Sequence, residues 1–218
     1  MTRLSPSASA LAAALMLVLC GCSSSSSSGG PAAAGGAAGT NAPSASGYDG
    51  ALLPADLPAH PFALTNQSGR RVSLSAFRGR VAILTFLYTT SHTTAPLIAQ
   101  QIRGALDELE TESRPPTPAV AISVDPSADT PARVRAFLRA ASLTGRMEYL
   151  TGAAARLRPL WRAYAAVPAS AGPVAYERGA FVLLLDRQGA PRVEFQVGQL
   201  TPEALTHDVR RLEQQEAR

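Results

Sequence analysis

Three observations predict a mixed α/β domain with one central sheet flanked by helices. Residues 81–88 (VAILTFLY) and 119–124 (AVAISV) are short, nearly unbroken apolar runs rich in branched side chains. That is the pattern of parallel strands covered on both faces. Each run is followed by a segment with helical spacing, and the chain closes with a strand pair and one more helix. A strand, helix, strand series requires crossover connections, which are right-handed in nearly every known sheet.

The individual elements follow from local chemistry. After the first run, Leu97, Ile98, Ile102, Ala105, Leu106 and Leu109 recur at helical spacing and define one apolar face. After the second, Thr130 offers an N-cap hydroxyl and Pro131 suits the first helical position, leading to Val134, Phe137 and Leu138. Residues 181–185 and 192–197 are expected to form a hairpin across Asp186, Arg187, Gln188 and Gly189. Thr201 and Pro202 repeat the cap signal ahead of Leu205, Val209 and Leu212. Parallel strands followed by an antiparallel hairpin are the thioredoxin-like arrangement.

At 218 residues and 46% hydrophobic content the chain can bury one good core. The N-terminus reads as a targeting segment. Arg3 supplies a positive start, residues 10–19 an apolar run too short to span a bilayer, and Leu19-Cys20-Gly21-Cys22 has the form of a bacterial lipobox. The expected organisation is therefore a signal peptide over residues 1–21, a lipidated Cys22, a flexible Ser/Gly/Ala-rich tether over 22–47 and a folded domain over 48–218. The expected location is the bacterial cell envelope, with the domain extracytoplasmic, on the periplasmic face of the membrane that holds the lipid. Cys20 and Cys22 are the only cysteines, so the folded domain carries no thiol. Disulfide exchange, thiol peroxidase chemistry and cysteine-based metal binding all need a thiolate, and none is available. The net charge of +4 rests on 20 arginines and no lysine, all but Arg3 scattered from Arg70 to Arg218 with few aromatics beside them. Nucleic-acid binding is not expected from so dispersed a charge.

Several separated segments then carry a family resemblance. Residues 84–96 (LTFLYTTSHTTAP) resemble a loop in which an apolar strand ends in Phe-x-Tyr-Thr and presents Cys-x-x-x-Cys-Pro at a helix start. Residues 62–74 (FALTNQSGRRVSL), with Phe77, Arg78 and Gly79, resemble the opening hairpin of the same proteins. Residues 123–131 (SVDPSADTP), then Leu150, Thr151 and Gly152 with Trp161 and Tyr164, and finally residues 179–189 (GAFVLLLDRQG) follow in the same order. Over roughly residues 58–213 the sequence resembles the SCO/SenC family, thioredoxin-like proteins that help assemble the copper centre of cytochrome c oxidase. The resemblance implies a thioredoxin-like fold with an N-terminal hairpin. It also implies two cysteine ligands and one histidine ligand for copper, at positions that here hold Ser91, Ala95 and Arg178. A hydroxyl is a poor ligand for a soft cuprous ion, a methyl is no ligand, and a guanidinium offers only donors.

The expected function is accordingly a lipid-anchored partner-binding or assembly factor without metal, redox or other catalytic chemistry, its partner a respiratory oxidase subunit or another assembly factor. The alternative is a copper chaperone with non-standard ligands such as His92; a thioredoxin-like oxidoreductase is a more distant one. His92 reads as a solvated loop residue, because a tight site needs two or three more donors while His60 and His207 fall elsewhere. Ser91 and His92 do not make a nucleophile and base, since adjacent side chains diverge; the run Thr89, Thr90, Ser91, Thr93 and Thr94 is expected to cap the helix. Asp125 and Asp129 are expected to shape a turn and a helix start rather than act as acid and base. Trp161 and Tyr164 are expected in the core, and Arg178 in a cleft beside Ser91, as a solvated side chain or an anion-binding one.

Overall fold

The computed structural model describes residues 46–112 and 115–216, and the expected signal peptide, Cys22 and nearly all of the expected tether lie outside them. Eight strands form one sheet: β1 (Ala51–Leu52), β2 (Ala63–Asn66), β3 (Arg71–Ser73), β4 (Ala82–Leu87), β5 (Ala119–Ser123), β6 (Met147–Thr151), β7 (Phe181–Leu185) and β8 (Pro191–Gln196). Five α-helices accompany them among the described residues: α1 (Thr94–Glu110), α2 (Pro131–Ala140), α3 (Ala154–Ala163), α4 (Pro173–Gly179) and α5 (Pro202–Glu216). The spatial order is β1-β8-β7-β4-β5-β6-β2-β3, with β4, β5 and β6 mutually parallel and every other pairing antiparallel. This is the expected mixed α/β fold, with the β2/β3 hairpin at one edge.

The apolar runs form the centre because they have nothing polar to leave outside. Every residue of β4, β5 and β7 is buried. Fully burying each Leu, Ile or Val contributes about 1.5–3 kcal/mol, and with no disulfide in the domain this core carries the stability. The two hydroxyls within these strands are satisfied: Thr85 Oγ1 donates to the Phe181 carbonyl at 2.8 Å and Ser123 Oγ donates to Asp129 Oδ2 at 2.6 Å.

Both parallel crossovers run in the same direction across the sheet, so right-handedness puts α1 and α2 over one face. α5 returns to pack on α1, close enough that Thr206 Oγ1 donates to the Ala105 carbonyl at 3.4 Å. The caps behave as their residues suggest. Thr130 Oγ1 accepts from the Arg133 N–H with Pro131 in the first turn of α2, and Thr201 Oγ1 accepts from the Ala204 N–H. The hairpin turn is held by Asp186, whose Oδ1 accepts from the Gln188 and Ala190 N–H groups while Oδ2 accepts from Arg192 Nε at 2.7 Å. Gly189 occupies the left-handed region there, φ +89°.

Three elements are expected neither from the periodicity nor from the resemblance. β6 joins β5 to the hairpin, α4 is a seven-residue helix carrying Arg178, and the two-residue β1 extends the sheet beyond β8. Among the described residues no helix is long and apolar enough to cross a membrane.

Candidate functional site

The site sits where β4 ends and α1 begins. β4 delivers the chain to Tyr88, and a tight bend, with the Ser91 N–H donating to the Tyr88 carbonyl at 3.3 Å, turns it into the helix. Ser91 is 7% exposed and its Oγ accepts from the Ala95 N–H at 3.1 Å. Of the hydroxyl run, this is the group that satisfies a helix-start donor; Thr93, the N-cap residue, makes no such bond. Its Oγ1 instead donates to Glu177 Oε1 at 3.0 Å, tying the loop to α4. Pro96 in the first turn lacks an N–H where none is needed.

Ala95, four residues after Ser91, is 0% exposed. It presents only a methyl group, and to the protein interior. His92 and Arg178 are both exposed, Arg178 in the last turn of α4. Among the described residues no hydrogen bond joins Arg178 to Ser91. α4 is nevertheless fixed beside the loop: Tyr176 is buried, its ring stands edge-on to Tyr88 at 4.7 Å, and its hydroxyl donates to the Phe86 carbonyl at 3.1 Å. Burial pushes the Tyr176 phenol well above its ordinary range.

Asp129 is the residue whose importance to this site the sequence understates. It is 2% exposed and accepts three hydrogen bonds from three different elements: the Thr89 N–H of the loop at 2.7 Å, Ser123 Oγ of β5 at 2.6 Å and the Tyr149 hydroxyl of β6 at 2.8 Å. Desolvation raises its pKa, against the lowering effect of those donors. Asp125 has the turn role expected of it, its Oδ1 accepting from the Ser127 and Ala128 N–H groups. The two carboxylates thus have separate structural duties. Trp161 is half-buried and its Nε1 donates to the Ser123 carbonyl at 2.9 Å; Tyr164 packs between Phe86 and His60, its phenol pushed up to about 12 by burial.

The group of His, Asp and Glu side chains close enough together to hold a cation, among the described residues, is Asp49, His207 and Asp208. It joins the segment ahead of β1 to α5 and includes neither His92 nor any residue of the loop. His60 meets Tyr164 edge-on and is likewise elsewhere. The loop therefore offers a buried hydroxyl already accepting a hydrogen bond, a methyl and one exposed imidazole, with the Arg178 guanidinium on α4 beside it; of these the hydroxyl is a poor ligand for a soft cuprous ion and the methyl and guanidinium are none.

Comparison with known proteins gives this scaffold its relatives. The model of the SCO1/SenC family matches residues 52–214. The chain belongs to the SCO1/SenC family. The mitochondrial protein SCO1 homolog 2 of Arabidopsis thaliana is 29% identical over 104 residues, which is 48% of this chain and 37% of that protein. The matched stretches span about half or less of the curated relatives' length. The crystal structure of yeast Sco1 superposes with a TM-score of 0.62 at 16% identity, covering 74% of this chain and 96% of that one. The structure of Bradyrhizobium japonicum ScoI with copper bound has a TM-score of 0.53 at 26% identity, covering 71% and 98%. The open central sheet with its flanking helices matches the thioredoxin-like fold of the solved Sco structures.

Proposed function

We propose that this chain is a lipid-anchored, extracytoplasmic SCO1/SenC protein that works without metal, thiol or other catalytic chemistry, as a partner-binding or assembly factor in the biogenesis of the cytochrome c oxidase copper centre. The observation that carries the reading is the state of the loop. The three positions where the family resemblance implies copper ligands hold Ser91, Ala95 and Arg178. Their side chains are respectively engaged with the helix start, turned into the core without a donor atom, and cationic. What the loop offers is a surface: His92, Thr93 and Leu97 lie exposed on one side, and Val174, Glu177 and Arg178 on the other. A side of mixed apolar and charged groups on a rigid sheet end suits recognition of a protein partner. The partner in this reading is an oxidase subunit or another assembly factor, reached by a domain tethered through Cys22.

A second reading is favoured by the copper-bound relative from Bradyrhizobium japonicum: His92, with unfamiliar donors or a partner's thiols, completes a copper site. A titration of the chain carrying Cys20→Ser and Cys22→Ser with cuprous and cupric ions separates the two. No stoichiometric binding at micromolar copper is the expected result. Sub-micromolar binding that His92→Ala abolishes would overturn the metal-free reading in favour of a rebuilt site.

A further inference from the structure

A cavity of about 750 Å³ opens at the end of the sheet opposite the loop, where β5 and β6 begin. Its floor is apolar: Phe77, Leu106, Leu138 and Met147 line it, all buried. Its rim is cationic. Arg70, Arg80, Arg135, Arg139 and Arg146 line the same cavity, against two carboxylates, Glu110 and Glu148.

The acids do not use up the guanidinium groups. Arg70 pairs with Glu148, and Arg146 gives Nε to Glu110 at 3.0 Å and Nη1 to Asp107 at 2.7 Å. The remaining nitrogen of Arg146, Nη2, is buried and has no acceptor among the described residues. An unmet buried donor on a charged group is costly and calls for an acceptor. Among the described residues Arg80 and Arg135 donate only to backbone carbonyls, those of Pro116, Ala76 and Gln67. Arg139 makes no hydrogen bond or ion pair to any described residue. Three side chains with donor capacity left over, and one orphaned buried N–H group, therefore ring an apolar hollow of the size that holds small organic molecules.

We propose that this cavity binds an amphiphilic organic anion, its apolar body on Phe77, Leu138 and Met147 and its phosphate, sulfonate or carboxylate oxygens on the arginine rim. Guanidinium forks suit such oxygens better than any other common side chain. The site is independent of the loop at the other end of the sheet and of the function proposed for it.

Three probes separate the parts of this ligand: anilinonaphthalene sulfonate, which has both apolar body and anion; N-phenylnaphthylamine, the neutral body alone; and inorganic pyrophosphate, the anion alone. They are titrated by fluorescence and calorimetry into the full-length chain carrying Cys22→Ser, so that no lipid competes. The sulfonate is expected to bind at one site per chain, and to bind about tenfold more weakly to Arg135→Gln/Arg139→Gln, the equivalent of one charge-assisted hydrogen bond. Arg156→Gln, on α3, leaves binding unchanged. Thermal unfolding of each variant shows whether it is folded, and Arg139→Gln alone, which breaks no contact among the described residues, replaces the double variant if that one is not. Absent binding, equal affinity in the arginine variants, or equal affinity for the neutral probe would overturn the proposal. So would capture by phosphatidylglycerol vesicles without binding of the free sulfonate, which would make the rim a membrane-facing surface.

Discussion

Asp129 shows how one carboxylate can decide the placement of a loop. Its two oxygens hold the first turn after β4 to β5 and β6, so Asp129→Ala would strand the Thr89 N–H, the Ser123 hydroxyl and the Tyr149 hydroxyl together. A loss of about 2–4 kcal/mol in unfolding free energy is expected, since each orphaned buried donor costs about 1–3 kcal/mol and the hydroxyls can partly reorient. Asp129→Asn keeps one acceptor and removes the charge, so a smaller loss is expected. The pH dependence distinguishes the two effects. Burial raises the folded pKa above the ordinary 3.8, so the folded chain holds the proton to higher pH than the unfolded chain does. The stability contributed by this protonation is complete below the ordinary value and is lost as pH rises through the folded value. Urea unfolding at a series of pH values should therefore show wild type losing stability relative to Asp129→Asn across that window; a constant difference would contradict it.

Helices here are placed by close contacts as much as by their apolar faces. Gly104 lies in α1 where a Cβ atom would come 2.8 Å from Cγ of Pro202, at the start of α5. Helix propensity alone favours Gly104→Ala by about 1 kcal/mol. The proline ring cannot swing aside as a flexible side chain would, so the helices must separate and the variant is expected to be less stable than wild type. Thermal unfolding reads the sign, and a raised midpoint would show that α1 and α5 tolerate a wider spacing. The same scale separates what patterning reveals from what it hides. α1, α2 and α5 are amphipathic over two or more turns and have cap residues, so they are legible locally. β6 (MEYLT) alternates only in part, because it is sandwiched between β5 and β2, and α4 is too short to show a period.

Across the whole molecule, the first described residues are fastened to the last helix. Asp208 of α5 is 0% exposed and accepts from the Asp49 and Gly50 N–H groups at 3.0 and 2.9 Å. Tyr48 is buried beside it, its hydroxyl donating to Gln215 Oε1 at 2.7 Å with the Arg211 guanidinium 5.1 Å from its ring centre. These contacts hold β1 on the edge of β8 and fix the first described segment beside α5. Asp208→Ala is expected to free this segment without unfolding the sheet: hydrogen exchange at residues 49–53 should accelerate at least about tenfold, as expected for local opening, while β4 and β5 stay protected. Uniform acceleration throughout would mean that the clamp supports the entire fold.

The sequence by itself determined the α/β class, the buried parallel strands, the main helices with their caps, the family resemblance and the absence of thiols from the domain. Each of these rests on local periodicity, on the chemistry of a single residue or, for the resemblance, on the order of motifs along the chain, none of which needs a tertiary contact to be read. Only the tertiary structure decided that Ser91 accepts from the Ala95 N–H, that Arg178 stands exposed on α4, that Asp129 joins three elements, and that five arginines surround one apolar hollow. The last two depend on residues tens of positions apart, from Arg70 to Arg146 around the cavity and from Thr89 to Tyr149 around Asp129, while the choice of Ser91 from a run of hydroxyls depends on the bend the sheet end imposes on the loop. Their distances exist only once the sheet has set the order of its strands.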